Sequence, residues 1–283
     1  MKKLRIYITT CIALTIIFSG VVFAKLQTPE QLEKALKALE GVEIPRPVNR
    51  NAFGIGEYLD FGVYVALPGV GAIPIMGGHG ILEVAGLRTV DSKRCFHLRS
   101  KAYSVGFVKL VYPVKDFIES YMDVDSFYPW LFKKNVREGK YRAKFTIKFD
   151  QKNHRAIREG VYNVKTYERV QDILSAFYYV RTLNLEPGDT IPLPYHDNGG
   201  NYPIKVIVHR RDTVSVPAGR FACLVVEPVM ATPGLFQRKG RMFLWITDDE
   251  KKMPVMMVSK IPIGSVVAKL LEYKLGDTNW RER

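Results

Sequence analysis

The sequence predicts a mainly β protein: a strongly curved antiparallel sheet, spiral or barrel-like, with one internal helix near 169–183 and an N-terminal helix near 28–40. Apolar and polar residues alternate with a period of two over most of the chain after Gly54, which is the pattern of strands with two different faces. Short turn-forming segments separate these stretches, and strands linked by hairpins pair antiparallel. A sheet of so many strands has to curl or cover its edges, because exposed edges aggregate.

The first 24 residues have the three parts of a secretory signal peptide. Basic residues at positions 2, 3 and 5 precede the apolar run 6–24, which ends in the small residue Ala24. We predict cleavage after Ala24 and a periplasmic location. The strongly apolar centre, 11–18, is shorter than the ~20 residues that a membrane span needs. The alternative is an inner-membrane anchor formed by an uncleaved 6–24, which is apolar enough to reach across.

Residues 25–53 are predicted to contain the N-terminal helix and a proline linker. Thr28 is suited to cap the helix, a proline follows it, and Gln31 completes a capping box. Gly41 is typical of a residue just beyond a helix end. The prolines of "IPRPVNRN" at 44–51 remove backbone donors and favour extended conformations, so this stretch is predicted to link the helix to the sheet.

The β-rich domain is predicted over 54–276, and a tail over 277–283. Its clearest strand is "KYRAKFTIKFD", in which apolar residues alternate with arginine, lysine and threonine. Turns are predicted at "DQKN" (150–153), "DNGGN" (197–201) and "DDEKK" (248–252), each between two alternating segments.

The segment "RVQDILSAFYYVRTL" has the period of a helix. One broad face carries the apolar residues Val170, Ile173, Leu174, Phe177 and Val180. An adjoining stripe also carries Tyr179, and a surface helix does not need apolar residues on both sides. We therefore predict that the helix fills the concavity of the curved sheet, with Asp172 capping its first turn and Arg181 pairing with a carboxylate or with terminal carbonyls.

Two cysteines follow the predicted signal peptide, Cys95 and Cys223. In an oxidising compartment an even pair that is far apart in sequence indicates a disulfide. We predict this bond; the alternative is two separate buried thiols that behave as small apolar residues.

The net charge of +14 favours acidic partners. Export removes nucleic acid as the obvious one and leaves an anionic envelope surface. The five histidines show no spacing typical of a zinc site, and no nucleophile or metalloprotease motif is present. The glycine-rich "GVGAIPIMGGHG" leads into a strand, which predicts turns or a bulge because a phosphate-binding loop leads into a helix. We predict no cofactor and no metal.

Five segments that together run from Gly56 to Leu270 are "GEYLDFGVYV", "VQDILSAFYYVRTL", "VPAGRFACLVVEP", "LWITDDEKKMPVMM" and "GSVVAKL". They resemble the bacterial envelope family known as domain-of-unknown-function family 3108. The resemblance implies an exported β-rich protein of unestablished biochemical role, and it supplies no catalytic residues.

The composition favours a non-catalytic envelope protein that binds a hydrophobic or amphiphilic ligand, such as a lipid or a lipid-linked glycan, or that serves as an assembly scaffold. Aromatic-lined concavities of sheets are typical binding pockets. Candidate ligand-binding residues are Tyr58, Asp172, Arg181 and Trp245. The alternative is an enzyme acting on cell-wall or lipid substrates, built from scattered residues such as Asp60, His97, Asp172 and Asp248. The sequence leaves the oligomeric state open.

Overall fold

The computed structural model describes residues 27–66, 75–230, 241–261 and 264–280. The predicted signal peptide, the first half of the glycine-rich segment (69–74) and the last three residues of the predicted tail lie outside this part of the chain. Within it, no helix is both long enough and apolar enough to cross a membrane.

Strands make up most of the described chain. In order they are β1 Tyr58–Ala66, β2 Ile75–Val90, β3 Lys93–Ser104, β4 Lys115–Asp123, β5 Pro129–Glu138, β6 Tyr141–Asp150, β7 Arg155–Arg158, β8 Tyr162–Lys165, β9 Thr190–Asp197, β10 Gly200–Val216, β11 Gly219–Met230, β12 Arg241–Thr247, β13 Pro254–Ile261 and β14 Gly264–Lys274. The helices are α1 Pro29–Lys37, α2 Gly106–Val111 and α3 Ile173–Arg181.

All of these strands join one antiparallel sheet in the order β8-β7-β6-β5-β4-β3-β2-β1-β14-β13-β12-β11-β10-β9. Sequence neighbours are therefore sheet neighbours, except that β1 pairs with β14 and the two edge strands, β8 and β9, are joined through α3. We call β1–β8 the first half and β9–β14 the second half. The prediction of an antiparallel, barrel-like sheet is confirmed.

The sheet curls until its two edges meet without pairing as strands. Asn201 Nδ2 donates to the Lys165 carbonyl at 2.8 Å, and an Arg158 guanidinium nitrogen donates to Asn198 Oδ1 at 2.7 Å. Side chains and a backbone carbonyl therefore hold the edges together where β8 and β9 share no ladder in the described chain. The result is a spiral with a deep inner face.

The two ends of this spiral differ. The top end carries α2, which connects β3 to β4, and the bottom end carries the turn between β12 and β13, 248–253. The strand pairing locates α2 and this turn. Ser104, just before α2, pairs with Gly78 near the start of β2. Ile246, just before the turn, pairs with Pro254 at the opposite end of the sheet.

The N-terminal helix α1 begins as predicted. Gln31 N donates to Thr28 Oγ1 at 3.3 Å, and Thr28 N donates to Gln31 Oε1 at 3.0 Å, so the capping box is confirmed. The helix ends at Lys37 and buries Ala35. Tyr167 Oη donates to the Ala35 carbonyl at 2.9 Å, which ties the helix to the sheet domain.

Helix α3 lies inside the curl, with the predicted partners at both of its ends. Leu174 N and Ser175 N donate to Asp172 Oδ1 at 2.8 and 2.9 Å. Burial raises the pKa of Asp172 to about 6, although these bonds and one from Ser120 oppose the rise. At the other end the guanidinium of Arg181 makes two bonds to the Glu57 carboxylate, at 2.7 and 2.8 Å.

The cysteine prediction requires correction, because Cys95 and Cys223 are separate, free and buried thiols. They lie on β3 and β11, and five strands stand between these two in the sheet. Each thiol has its own surroundings, since Asp123 is the charged neighbour of Cys95 and Asp212 that of Cys223. Burial raises the pKa of both thiols to about 12.

Candidate ligand-binding cavity

A cavity lies between α3 and the inner face of the second half of the sheet. Its empty volume is about 960 Å³, including the part that opens to solvent. It is lined by Leu82, Ile173, Leu174, Ala176, Phe177, Val180, Arg181, Leu193, Tyr195, Ile204, Val206, Val226, Pro228, Met242, Leu244, Ile246 and Met257. The predicted filling of the concavity by the helix is therefore incomplete.

Strand alternation explains the apolar walls. Leu193 on β9 pairs with Ile204 on β10, and Val226 on β11 pairs with Leu244 on β12, so paired inward positions form continuous apolar rows. The floor is buried, whereas the rim is partly exposed. The rim residues are Ile173, Phe177, Ile204, Pro228 and Met242.

The rim lies toward the top end of the spiral. Met242 is the second residue of β12, and Arg241 before it pairs with Lys260 near the end of β13. Pro228 is likewise close to the end of β11. The cavity therefore opens on the side of the molecule that carries α2.

Arg181 and Tyr195 are the polar side chains of the lining, and Arg181 is already engaged. Besides Glu57, its guanidinium donates to the carbonyls of Lys251 and Ala52, both at 3.1 Å. Four donor bonds of five available to a guanidinium are thus made within the protein. The wall therefore suits an apolar chain and not a charged group.

A cluster of buried charged groups occupies a different part of the inner face, where the two sheet edges meet. Lys134 on β5 lies 4.0 Å from Asp197 at the end of β9, measured from Nζ to Oδ1. Burial and the neighbouring Glu138 raise the pKa of Asp116 to about 8. Burial also raises the pKa of Asp197, although Lys134 opposes it. The ion pair joins the two halves across the seam.

Sequence reasoning missed this seam. A signal was present, because Lys134 stands between Phe132 and Val136 at an inward position of β5. A lysine at an apolar position of an alternating strand indicates a buried partner. The partner could not be identified, since Asp197 belongs to the opposite edge of the sheet.

The four predicted ligand-binding residues are not brought together. Arg181 alone lines the cavity, and Asp172 is buried beneath the first turn of α3. Tyr58 and Trp245 alternate with the inward-facing Leu59 and with cavity-lining neighbours, so they lie on the outer face. There the Trp245 indole donates to Asp212 at 3.0 Å.

The residues considered for the alternative enzyme are also separate. Asp60 lies 3.1 Å from His79 Nδ1, His97 Nε2 lies 2.7 Å from Glu119, and Asp248 accepts from an exposed arginine at 2.8 Å. Burial lowers the pKa of His97. No group of three or more histidine, cysteine or acidic residues within the described ranges is placed to hold a metal ion.

Comparison with known families and structures agrees with the fold. The model of a family described as "Protein of unknown function (DUF3108)" matches residues 61–271. Comparison with curated proteins gave no match. A beta-barrel-like protein of the DUF1849 domain family from Brucella abortus is 10% identical, with a TM-score of 0.53, and the match covers 80% of this chain and 100% of that one.

Two further solved structures are more distant. A candidate exported protein with a YmcC-like fold from Bacteroides fragilis is 14% identical, with a TM-score of 0.35, over 78% of this chain and 98% of its own. A candidate lipoprotein from Parabacteroides distasonis is 10% identical, with a TM-score of 0.35, over 82% of this chain and 100% of its own. At these identities the Brucella likeness bears on the fold alone.

Proposed function

The chain belongs to the DUF3108 family, and from that premise we propose that it is an exported envelope protein that binds the apolar chain of a lipid or similar amphiphile in the cavity beside α3. The observation that carries the proposal is the cavity itself, whose lining is apolar except for Arg181 and Tyr195. Export rests on the signal peptide that the sequence predicts.

The chemistry of the cavity supports an apolar occupant. Ligand sites are mostly apolar, and each buried methylene group contributes about 0.8 kcal/mol. Because the charged group on the wall is already paired with Glu57, a polar headgroup has no free counter-charge inside. The apolar chain therefore enters, and the headgroup remains at the rim beside Ile204, Pro228 and Met242.

We therefore expect the protein to select its ligand by the apolar chain and not by the headgroup. Phe177 of the helix and Met242 of β12 stand on the rim, and both are side chains that adapt to an apolar ligand. We expect binding to tighten as the chain lengthens until the cavity is full. Exchanging one headgroup for another should change binding much less.

The test uses the protein purified from its own envelope without detergent, examined by native mass spectrometry and by displacement of a fatty acid that carries an environment-sensitive fluorophore. Wild type should carry co-purifying lipid and bind the probe. Ile204→Trp places a large ring at the rim and should abolish both. The matched control is Ile207→Trp, which lies on the outer face of the same strand and should bind as wild type does.

A wild-type protein that carries no lipid and binds no probe would contradict the proposal. So would equal binding by the two tryptophan variants, because binding would then not involve the cavity.

A further inference from the structure

Helix α2 and its flanking residues expose a large apolar surface. Phe107 is 67% exposed and Leu110 is 82% exposed, and the proline that follows the helix is exposed as well. Single exposed apolar residues are ordinary on protein surfaces. Two large ones within four residues, on a segment that reads "VGFVKLVYP", form a continuous apolar projection.

This projection is held in place by its neighbours. Val105 N donates to the Gly77 carbonyl at 2.9 Å, and Val114 N donates to Ser104 Oγ at 2.9 Å. On the other side Gly139 N donates to the Pro113 carbonyl at 2.9 Å. Both flanks are thus bonded to strands, so the exposure of the helix is part of the fold.

The side chains that anchor the segment point inward. Tyr112 and Val114 are buried, with Val108 packed against them. The ring of Tyr112 lies so close to the backbone of Gly139 that a Cβ there would come within 2.5 Å of it. Phe107 and Leu110 do not take part in this packing, and no described part of the chain covers them.

The charge along this segment of the chain is basic. Lys109 stands between the two exposed apolar residues, and Lys115 follows at the start of β4, both exposed. Between Ser92 and Lys115 the sequence contains no acidic residue. Tyr103, 38% exposed, pairs with Lys115 across the strands and adds an aromatic ring beside it.

We propose that this docking patch, formed by Tyr103, Phe107, Lys109, Leu110 and Lys115, binds the surface of a bilayer that contains anionic lipid. Apolar side chains that enter the headgroup region and lysines that meet anionic headgroups are the two contributions that hold a protein on such a surface. The net charge of the chain is +14, or +11 once the three basic residues of the predicted signal peptide are removed, and this charge favours the same partner and opposes a second copy of itself.

The inference stands on α2 and its flanking residues, and it holds whether or not the cavity binds lipid. If both hold, they are connected, because the docking patch and the rim of the cavity lie at the same end of the spiral. The patch would then bring the rim to the bilayer, and an apolar chain would have a short path between membrane and cavity.

The first test is co-sedimentation with vesicles of phosphatidylethanolamine and phosphatidylglycerol in a 3:1 ratio, and with vesicles of phosphatidylcholine alone. All variants are purified with the N-terminus that the cell produces. Wild type should bind the anionic vesicles, and the double variant Phe107→Ser/Leu110→Ser should bind them at least tenfold more weakly. Val48→Ser removes an apolar residue that is 72% exposed. Its neighbour Asn49 donates to the Glu250 carbonyl in the turn between β12 and β13, so Val48 lies at the bottom end and the variant should bind as wild type does.

The second test locates the contact. Leu110→Trp should be quenched by brominated lipids in anionic vesicles, whereas Val48→Trp should not be. Equal vesicle binding by wild type and the double-serine variant, or absence of quenching at position 110, would overturn the proposal. A dimer in light scattering that the double-serine variant abolishes, with vesicle binding unchanged, would also overturn it and assign the surface to a second copy.

The two proposals fail separately. The double-serine variant should keep the lipid that co-purifies with wild type, because its cavity is intact. Ile204→Trp should keep its vesicle binding, because its docking patch is intact.

Discussion

The two sides of helix α3 differ in how completely they are packed. Toward the first half of the sheet, Tyr178 is fully buried and its ring meets that of Phe53 at 4.8 Å, edge to face. Phe53 in turn meets Phe96 of β3 at 5.2 Å. Toward the second half, Ile173 and Phe177 are only partly buried and face the cavity. One helix therefore closes a core on one side and leaves space on the other.

The two sides of the helix therefore have different roles. The aromatic contacts and the Arg181–Glu57 pair fix the position of the helix. The opposite side is not needed for this, so the space between it and the apolar walls can stay unfilled. Unfilled apolar space costs stability, and a ligand that fills it recovers that cost in proportion to its affinity. We expect substitutions on the packed side to affect folding and substitutions on the open side to affect binding.

The largest effect is expected for Arg181→Met, which leaves the buried Glu57 carboxylate without its partner. Removing one member of a buried pair costs about 3–5 kcal/mol, because the remaining charge stays in an apolar environment. Urea denaturation should show this loss in the free energy of unfolding. The double variant Arg181→Met/Glu57→Gln should recover much of it, and a double variant as unstable as the single one would contradict this account.

The adjacent pair Tyr178 and Phe177 compares the two sides directly. Tyr178→Ala should reduce the free energy of unfolding by about 3–5 kcal/mol, as expected for a large buried side chain. Phe177→Ala should cost about 1 kcal/mol, because the ring is already partly exposed, and should weaken probe binding. The measurements are urea denaturation and probe titration of both variants. Similar losses of stability would show that both sides are packed alike.

The buried carboxyl of Asp116 should make the first half sensitive to pH. Its pKa is raised from 3.8 to about 8, so the folded state holds a proton that the unfolded state releases. This contribution to stability is fully present below pH 3.8 and is lost as pH rises through about 8. Asp116→Asn stays neutral, so its stability relative to wild type should improve steadily from pH 5 to pH 8 in urea denaturation. A difference that does not change with pH would refute the assignment.

The smallest effect concerns the two thiols, one in each half. Because both are buried with a pKa of about 12, labelling of the native protein requires local opening. Cys223, in the half that contains the cavity, should be labelled faster than Cys95, as peptide mass mapping would show. Denatured but unreduced protein should be labelled at both positions, and absence of labelling would restore the disulfide.

Much of the fold could be predicted because its causes are local. Alternation at Leu59 and Phe61 reveals a strand with one buried face, and the capping residues Thr28 and Asp172 mark helix starts within a single turn. These signals depend on neighbours a few residues away, and the structure confirms them. The incomplete closure of the sheet could not be predicted from such local signals, because it depends on the summed twist of all the strands.

The cavity was harder to predict because it depends on volumes across the curl. In "RMFLWIT" both alternating sets are apolar, so periodicity shows that Trp245 shares a face with Phe243 but not which face is concave. The pairing of Cys95 with Cys223 failed for a related reason. Sequence shows that both thiols favour burial, whereas their separation is set by the order of the strands between them.

The pairing of β1 with β14 joins the two ends of the sheet domain in the middle of the sheet. Neighbouring hairpins close short loops and can form early, whereas this ladder closes the longest loop in the domain, at the highest entropic cost. A chain that is synthesised from its N-terminus presents β1 first and β14 last, so one side of β1 stays unpaired until synthesis is nearly complete. Until then the exposed side of β1 is a surface for a chaperone to cover, and the final ladder forms only when the whole domain is available.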